Sequence, residues 1–174
     1  MKKCYPQKLL FFCCCLFLTA CYTAPPGKYF DIAVLNSNML VGFAGEGMLA
    51  QLESPSVKMD GTGKPVAMKR SEVISTKIQF VEDSFKKVKG LKETGDTRDM
   101  LQTSLALYEY VLPVYKREYT QLAMLYDKHA SKKLIESQAQ AIHDKYYTGY
   151  EELYTRLINI GKSYAREHAI KVNW

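Results

Sequence analysis

Apolar residues recur at alternating spacings of four and three through much of this chain, the mark of helices that bury one face. Between Thr97 and His129, Leu101, Leu105, Tyr108, Leu112, Tyr115, Tyr119, Leu122 and Tyr126 keep that rhythm unbroken. The run predicts a single helix, about 50 Å long at the α-helical rise, with Asp96 as its N-cap. Pro113 deletes one N–H from its interior, so a kink near Glu109 is expected rather than an end. A second long helix is predicted over 131–170, carrying Ile135, Ala139, Ile142, Tyr146, Tyr150, Leu153, Leu157, Ile160 and Tyr164. Its spacing runs four and four between Ile142 and Tyr150, a stutter that should locally unwind the supercoil. Gly149 within that stretch leaves room for a neighbour.

Two further helices precede these. Ile74, Ile78, Val81, Phe85 and Val88 mark one over about 66–89, which stops at the glycines of "KGLKETGD". The other, over about 28–52, presents Ile32, Leu35, Met39 and Phe43, but Gly42, Gly45 and Gly47 each weaken it by about 1 kcal/mol relative to Ala. Between them, "ESPSVKMDGTGKP" over 53–65 reads as a long loop. Strand-like alternation of any length is absent. The expected fold class is all-α: an antiparallel four-helix bundle over 28–174 with two long C-terminal helices, because a lone hairpin of the long pair would leave two apolar seams in water. Up-and-down order would put the start of the first helix, the turn after the second and the C-terminus at one end. The 53–65 loop and "DKHASKK" would face the other.

The first 27 residues follow a different pattern. Lys2, Lys3 and Lys8 precede an uncharged apolar run from Leu9 to Leu18 and then the small pair Thr19-Ala20. That run is short of the roughly 20 residues a spanning helix needs, so a cleaved signal peptide over 1–20 is expected. All five cysteines, at positions 4, 13, 14, 15 and 21, fall here. A disulfide framework would spread them through the folding part, so a role in processing is indicated instead. Residues 21–27 then form a proline-containing tether, about 20 Å at full extension. Apolar residues make up 47% and charged residues 24%, a globular balance in a chain of 174 residues that suits one domain. Removing residues 1–20 takes away three lysines and no acid, which lowers the formal charge from +6 to +3. So mild a charge, with no basic motif, argues against nucleic acid as a partner.

"Leu18-Thr19-Ala20-Cys21" resembles the lipobox of bacterial lipoproteins. The resemblance implies that Cys21 takes a diacylglyceryl thioether, becomes the first mature residue and is acylated on its new amine. An ordinary secretory signal cut elsewhere, with Cys21 an incidental thiol, is the competing reading. Several acyl chains would hold the protein to a bilayer almost permanently. Tyr22 stands where an Asp would resemble an inner-membrane retention signal, which favours the outer membrane, on its periplasmic face or at the cell surface. In the mature part, "GDTRDMLQTSLALYEYVLPVYKREYTQLAMLYD" and "YEELYTRLINIGKSYAREHAI" resemble a family of small helical surface lipoproteins without an assigned activity. That likeness rests on pattern and brings no site residues with it.

The sequence carries no recognisable catalytic or metal-binding arrangement. His129, His143 and His168 lack ligand spacing, and neither a Glu-x-x-His pair nor His-Glu-x-x-His occurs. "MDGTGK" departs from a phosphate-binding loop at Lys58 and Pro65, and "GFAGEG" has the wrong glycine spacing for a dinucleotide site. Glu151 and Glu152 are adjacent and diverge on a helix. No metal, cofactor or enzymatic activity is therefore expected. Ten of the thirteen tyrosines lie between Tyr108 and Tyr164; their rings are expected in the core with hydroxyls at its rim, or else around a polar cavity. Lys86, Lys87, Lys89, Lys92 and Arg98, with Lys171 and Trp174, would gather at the tethered end, where they either touch anionic head groups or stay solvated. The function expected is a membrane-anchored, non-enzymatic interaction or adhesion module with an envelope protein partner. The alternative is a binder of a small amphipathic or lipid ligand.

Overall fold

The structure is a computed structural model that describes residues 23–54 and 56–173. The segment expected to be a signal peptide (1–20), Cys21 and Trp174 lie outside the described residues. The described chain is mostly helical. In order it forms α1 (Pro26–Ala33), a 3₁₀ helix (Leu35–Leu40), α2 (Glu46–Glu53), β1 (Val57–Met59), β2 (Pro65–Ala67) and α3 (Arg70–Lys89). It continues through α4 (Arg98–Val114), a π-helical turn (Tyr115–Tyr119), α5 (Thr120–Asp127) and α6 (Lys132–Glu167). The rod made by α4, the π turn and α5 packs against both α3 and α6, and α1 rests on all three rods.

The three long rods follow the apolar spacing. Ile74, Val81 and Val88 of α3 are buried, as are Leu101, Tyr108, Tyr115, Tyr119 and Leu122 of the central rod and Ala139, Ile142, Tyr150, Leu157 and Tyr164 of α6. Met100, Ser104, Leu107, Val111 and Val114 are buried as well, so the central rod hides a wide stripe and not a narrow seam. Departure from α geometry falls at 115–119 and not around Glu109. Pro113 and Glu109 are both exposed, and the helix runs through Pro113 to Val114. In the π turn the Thr120 hydroxyl donates to Tyr115 O at 3.1 Å. Gly149 does admit a neighbour: a Cβ there would lie 2.6 Å from the Tyr110 hydroxyl.

Three further expectations are corrected. The 28–52 segment is not one helix. Gly42 takes φ +82°, Ala44 takes φ +54°, and Gly42 and Gly47 approach so closely that a Cβ on Gly42 would sit 3.0 Å from Gly47 Cα. The chain thus turns at 41–45, and its buried residues include Tyr29, Phe30, Ala33, Val34, Leu40, Phe43, Met48 and Leu52, leaving Ile32, Leu35 and Met39 only partly covered. Nor is 53–65 structureless, since β1 and β2 pair antiparallel with Val57 opposite Ala67 and Met59 opposite Pro65. Asp60 makes the connecting turn by accepting from Thr62 N at 2.8 Å, Thr62 Oγ1 at 2.7 Å and Lys64 N at 2.9 Å. Those bonds, the Thr62 hydroxyl first, hold its carboxyl below the usual range. Finally, Asp96 does not cap α4. Thr97 precedes the helix with αR backbone angles, and the Asp96 carboxylate accepts from Thr94 Oγ1 at 2.5 Å.

The start of α3 is capped from a distance. Asp127 accepts from Arg70 N at 2.6 Å and from Ser71 N at 3.0 Å, while Glu72 reaches back to Lys69 N at 2.9 Å and pairs with Lys58 of the hairpin. Burial raises the Asp127 pKa, but donation from Ser71 and Arg70 outweighs it, so the carboxyl sits below the usual carboxylate range. Its stabilisation is therefore present above an unfolded pKa of about 3.9 and is lost as pH falls through the lower folded value. Asp127→Ala is expected to cost about 1–2 kcal/mol, as a lost cap does. Urea unfolding at pH 7 checks this, and the difference from the parent should shrink below about pH 4.

Candidate functional site

The broken segment leaves backbone groups without helical partners, and side chains from the long rods supply them. Tyr119 Oη accepts from Ala44 N at 2.8 Å, and Tyr150 Oη donates to Leu40 O at 2.9 Å. His143 Nδ1 lies 2.8 Å from Ala44 O, Ser104 Oγ donates to Ala33 O at 2.8 Å, and Lys77 Nζ donates to Met39 O. Phe43 caps this junction, with ring centroids 5.3 Å from Tyr115, 5.9 Å from Tyr119 and 5.1 Å from Tyr150. Tyr119 and Tyr150 thus send their hydroxyls to the backbone of the 34–45 segment and not to a wet rim. Burial pushes the Tyr108 hydroxyl up to about 12 and raises Tyr119 and Tyr150 further. These phenols stay protonated throughout the physiological range.

Immediately beside the junction is a pocket of about 550 Å³, between α2, α5 and the first turns of α6. Leu49, Leu122, Ile135, Ala139 and Ile142 supply apolar walls, and Tyr119 and Tyr126 supply rings. Its mouth carries Glu46, Glu53, Lys132, Glu136 and Gln140. Tyr126 Oη is buried and makes no hydrogen bond; burial first, and then the Glu53 charge, raise its pKa. A second hollow on the other side of the 42–46 turn shares Gly45, Glu46 and His143 and adds Tyr147, Tyr150, Glu151 and Tyr154. Residue spacing alone missed this site because it depends on the turn at 41–45. The three glycines of "GFAGEG" were its only trace in the sequence.

At the far end, Tyr29 Oη donates to Lys92 O at 2.6 Å, and His168 Nε2 lies 3.3 Å from Asp96 Oδ2. These contacts unite the start of α1, the α3–α4 turn and the end of α6, the grouping expected from up-and-down order. The basic residues assigned to that end divide in two. Arg98 is bound to Glu93 at 2.7 Å, and Lys89 Nζ sits 3.8 Å above the Phe85 ring, whereas Lys86, Lys87 and Lys171 are exposed on the surface. Trp174 and Cys21 lie outside the described residues.

Among the described residues, no helix is long and apolar enough to cross a membrane, and no group of three His, Cys, Asp or Glu side chains could hold a metal ion. No family model, curated protein or solved structure matches the chain.

Proposed function

We propose that this chain is a lipid-anchored, non-enzymatic interaction module of the bacterial envelope, held to the outer membrane through acylated Cys21 and engaging an envelope protein. Its body is read as a four-helix bundle whose first member is broken into α1, a 3₁₀ turn and α2. The lipobox-like "LTAC" supports the anchor. The observation that supports the reading is the meeting of the start of α1, the α3–α4 turn and the end of α6 at one end; on this reading Lys86, Lys87, Lys89, Lys92, Arg98 and Lys171 face the membrane from that end. Basic side chains near an anionic surface contribute about 1 kcal/mol each. Intact mass of the protein extracted from bacterial membranes should show loss of residues 1–20 and addition of acyl chains at Cys21; an unmodified Cys21 overturns the anchor. In the full chain carrying Cys21→Ser, changing Lys86, Lys87, Lys89, Lys92 and Arg98 together to Gln should sharply reduce sedimentation with phosphatidylglycerol vesicles. Undiminished sedimentation removes the head-group contact.

The pocket beside Phe43 favours a second reading, in which the module also binds a small amphipathic ligand. Its volume lies within the range of small-molecule sites. It sits at the end away from the tether and not inside the core, where Tyr108, Tyr115, Leu107 and Leu157 are fully buried.

A further inference from the structure

The two hollows that flank the 42–46 turn differ in chemistry. The first has aliphatic walls deep enough for a hydrocarbon body, whereas the second is a shelf of aromatic rings: His143 stacks on Tyr147 at 4.7 Å and Tyr150 on Tyr154 at 5.5 Å. Glu46 belongs to both, and Glu151 stands on the shelf.

Charge at the mouth is unbalanced. Lys132 is 3.5 Å from Glu136 and so answers that carboxylate, while Arg70 donates to the backbone O of Glu53 at 3.3 Å. Glu46 makes no salt bridge among the described residues. His143 Nδ1 is 2.8 Å from Ala44 O, which fixes the ring between the two hollows that it lines. Carboxylates and aromatic faces both favour a positive group and disfavour an anion.

We propose that this site holds a small cationic amphiphile, its aliphatic body against Leu49, Leu122, Ile135 and Ile142 and its ammonium head at Glu46, over the Tyr147 shelf. This rests on the second reading above and deepens it by assigning the ligand class. The chain's own acyl groups do not fill the site. Ala139 and His168 are separated by about 40 Å along α6, while a fully extended tether from Cys21 to Pro25 reaches about 14 Å and an acyl chain adds about 15 Å, half the hydrocarbon core of a bilayer. The occupant therefore comes from another molecule.

The test titrates the full chain carrying Cys21→Ser with decyltrimethylammonium below its micelle concentration by calorimetry, with decanoate as the anion of matched chain length. Saturable binding of one cation is expected, with decanoate at least tenfold weaker. Glu46→Gln, on the exposed mouth, should weaken the cation about tenfold, and Ile135→Trp, which fills the pocket, should weaken it at least as much. Decanoate binding as tightly as the cation overturns the cationic class and leaves an amphiphile pocket standing. If a chain with native helical content binds neither probe, both the class and the pocket reading fall. Cation binding unchanged by Glu46→Gln removes the head-group assignment even if Ile135→Trp fails to fold.

Discussion

Phe43→Ala is expected to lower the unfolding free energy by about 3–5 kcal/mol, the cost of emptying a large aromatic site that cannot collapse. Phe43 is 1% exposed, yet it lies in the turn between the 3₁₀ helix and α2, where no regular backbone ladder would hold the chain once the ring is gone. Its edge contacts with Tyr115 and Tyr119 are worth more than burial alone. For a body of this size the thermal midpoint should fall by about 10 °C, at about 2–4 °C per kcal/mol. Circular dichroism melts of the full chain with Cys21→Ser measure it. Val41→Ala, two residues away and 63% exposed, should stay within about 0.5 kcal/mol of the parent. A Phe43→Ala loss below about 1 kcal/mol would mean that the junction is not the packed unit described.

Gly161→Ala pits two effects against each other. Alanine is the better helix former by about 1 kcal/mol, but its Cβ would stand 2.8 Å from Val34 Cγ1, 3.0 Å from Cγ2 and 3.4 Å from Cβ. Val34 is fully buried and short, so it cannot swing aside, and overpacking of this kind costs about 1–3 kcal/mol. A net loss of about 1–2 kcal/mol in urea unfolding is the expected balance. Adding Val34→Ala should restore part of it, and a double-mutant cycle with no coupling would show that the close approach of α1 to α6 is not real. Gly149→Ala should be milder, because the atom it meets is the hydroxyl end of partly exposed Tyr110.

The long rods were legible because their burial follows one helical period over many turns. Ile74, Val81 and Val88, or Tyr150, Leu157 and Tyr164, need only a regular helix to reach the core. Residues 28–67 defeated the same reading. Gly42 and Gly47 permit a backbone approach that periodicity cannot express, and the hairpin is made by Asp60 accepting three local bonds, with strands of only three residues each. Tyrosines on the seams were visible as rings, but the destination of Tyr119 and Tyr150 hydroxyls was not. It depends on which carbonyls and amides the broken segment leaves over. The meeting of the start of α1, the α3–α4 turn and the end of α6 was readable from chain order. The pocket was not, because its walls come from α2, α5 and α6 and its mouth from a turn with no sequence period.

The π turn at 115–119 takes one residue more per turn than the α helix around it. Each residue advances an α helix by about 100°, so this single insertion sets the rotational phase of everything downstream to Asp127. Excising one residue there would straighten the ladder yet swing Leu122 and Tyr126 away from α6, and would carry Asp127 off the first turn of α3. An irregularity of one residue thus acts as the alignment key between the pocket floor and a helix start on a different rod.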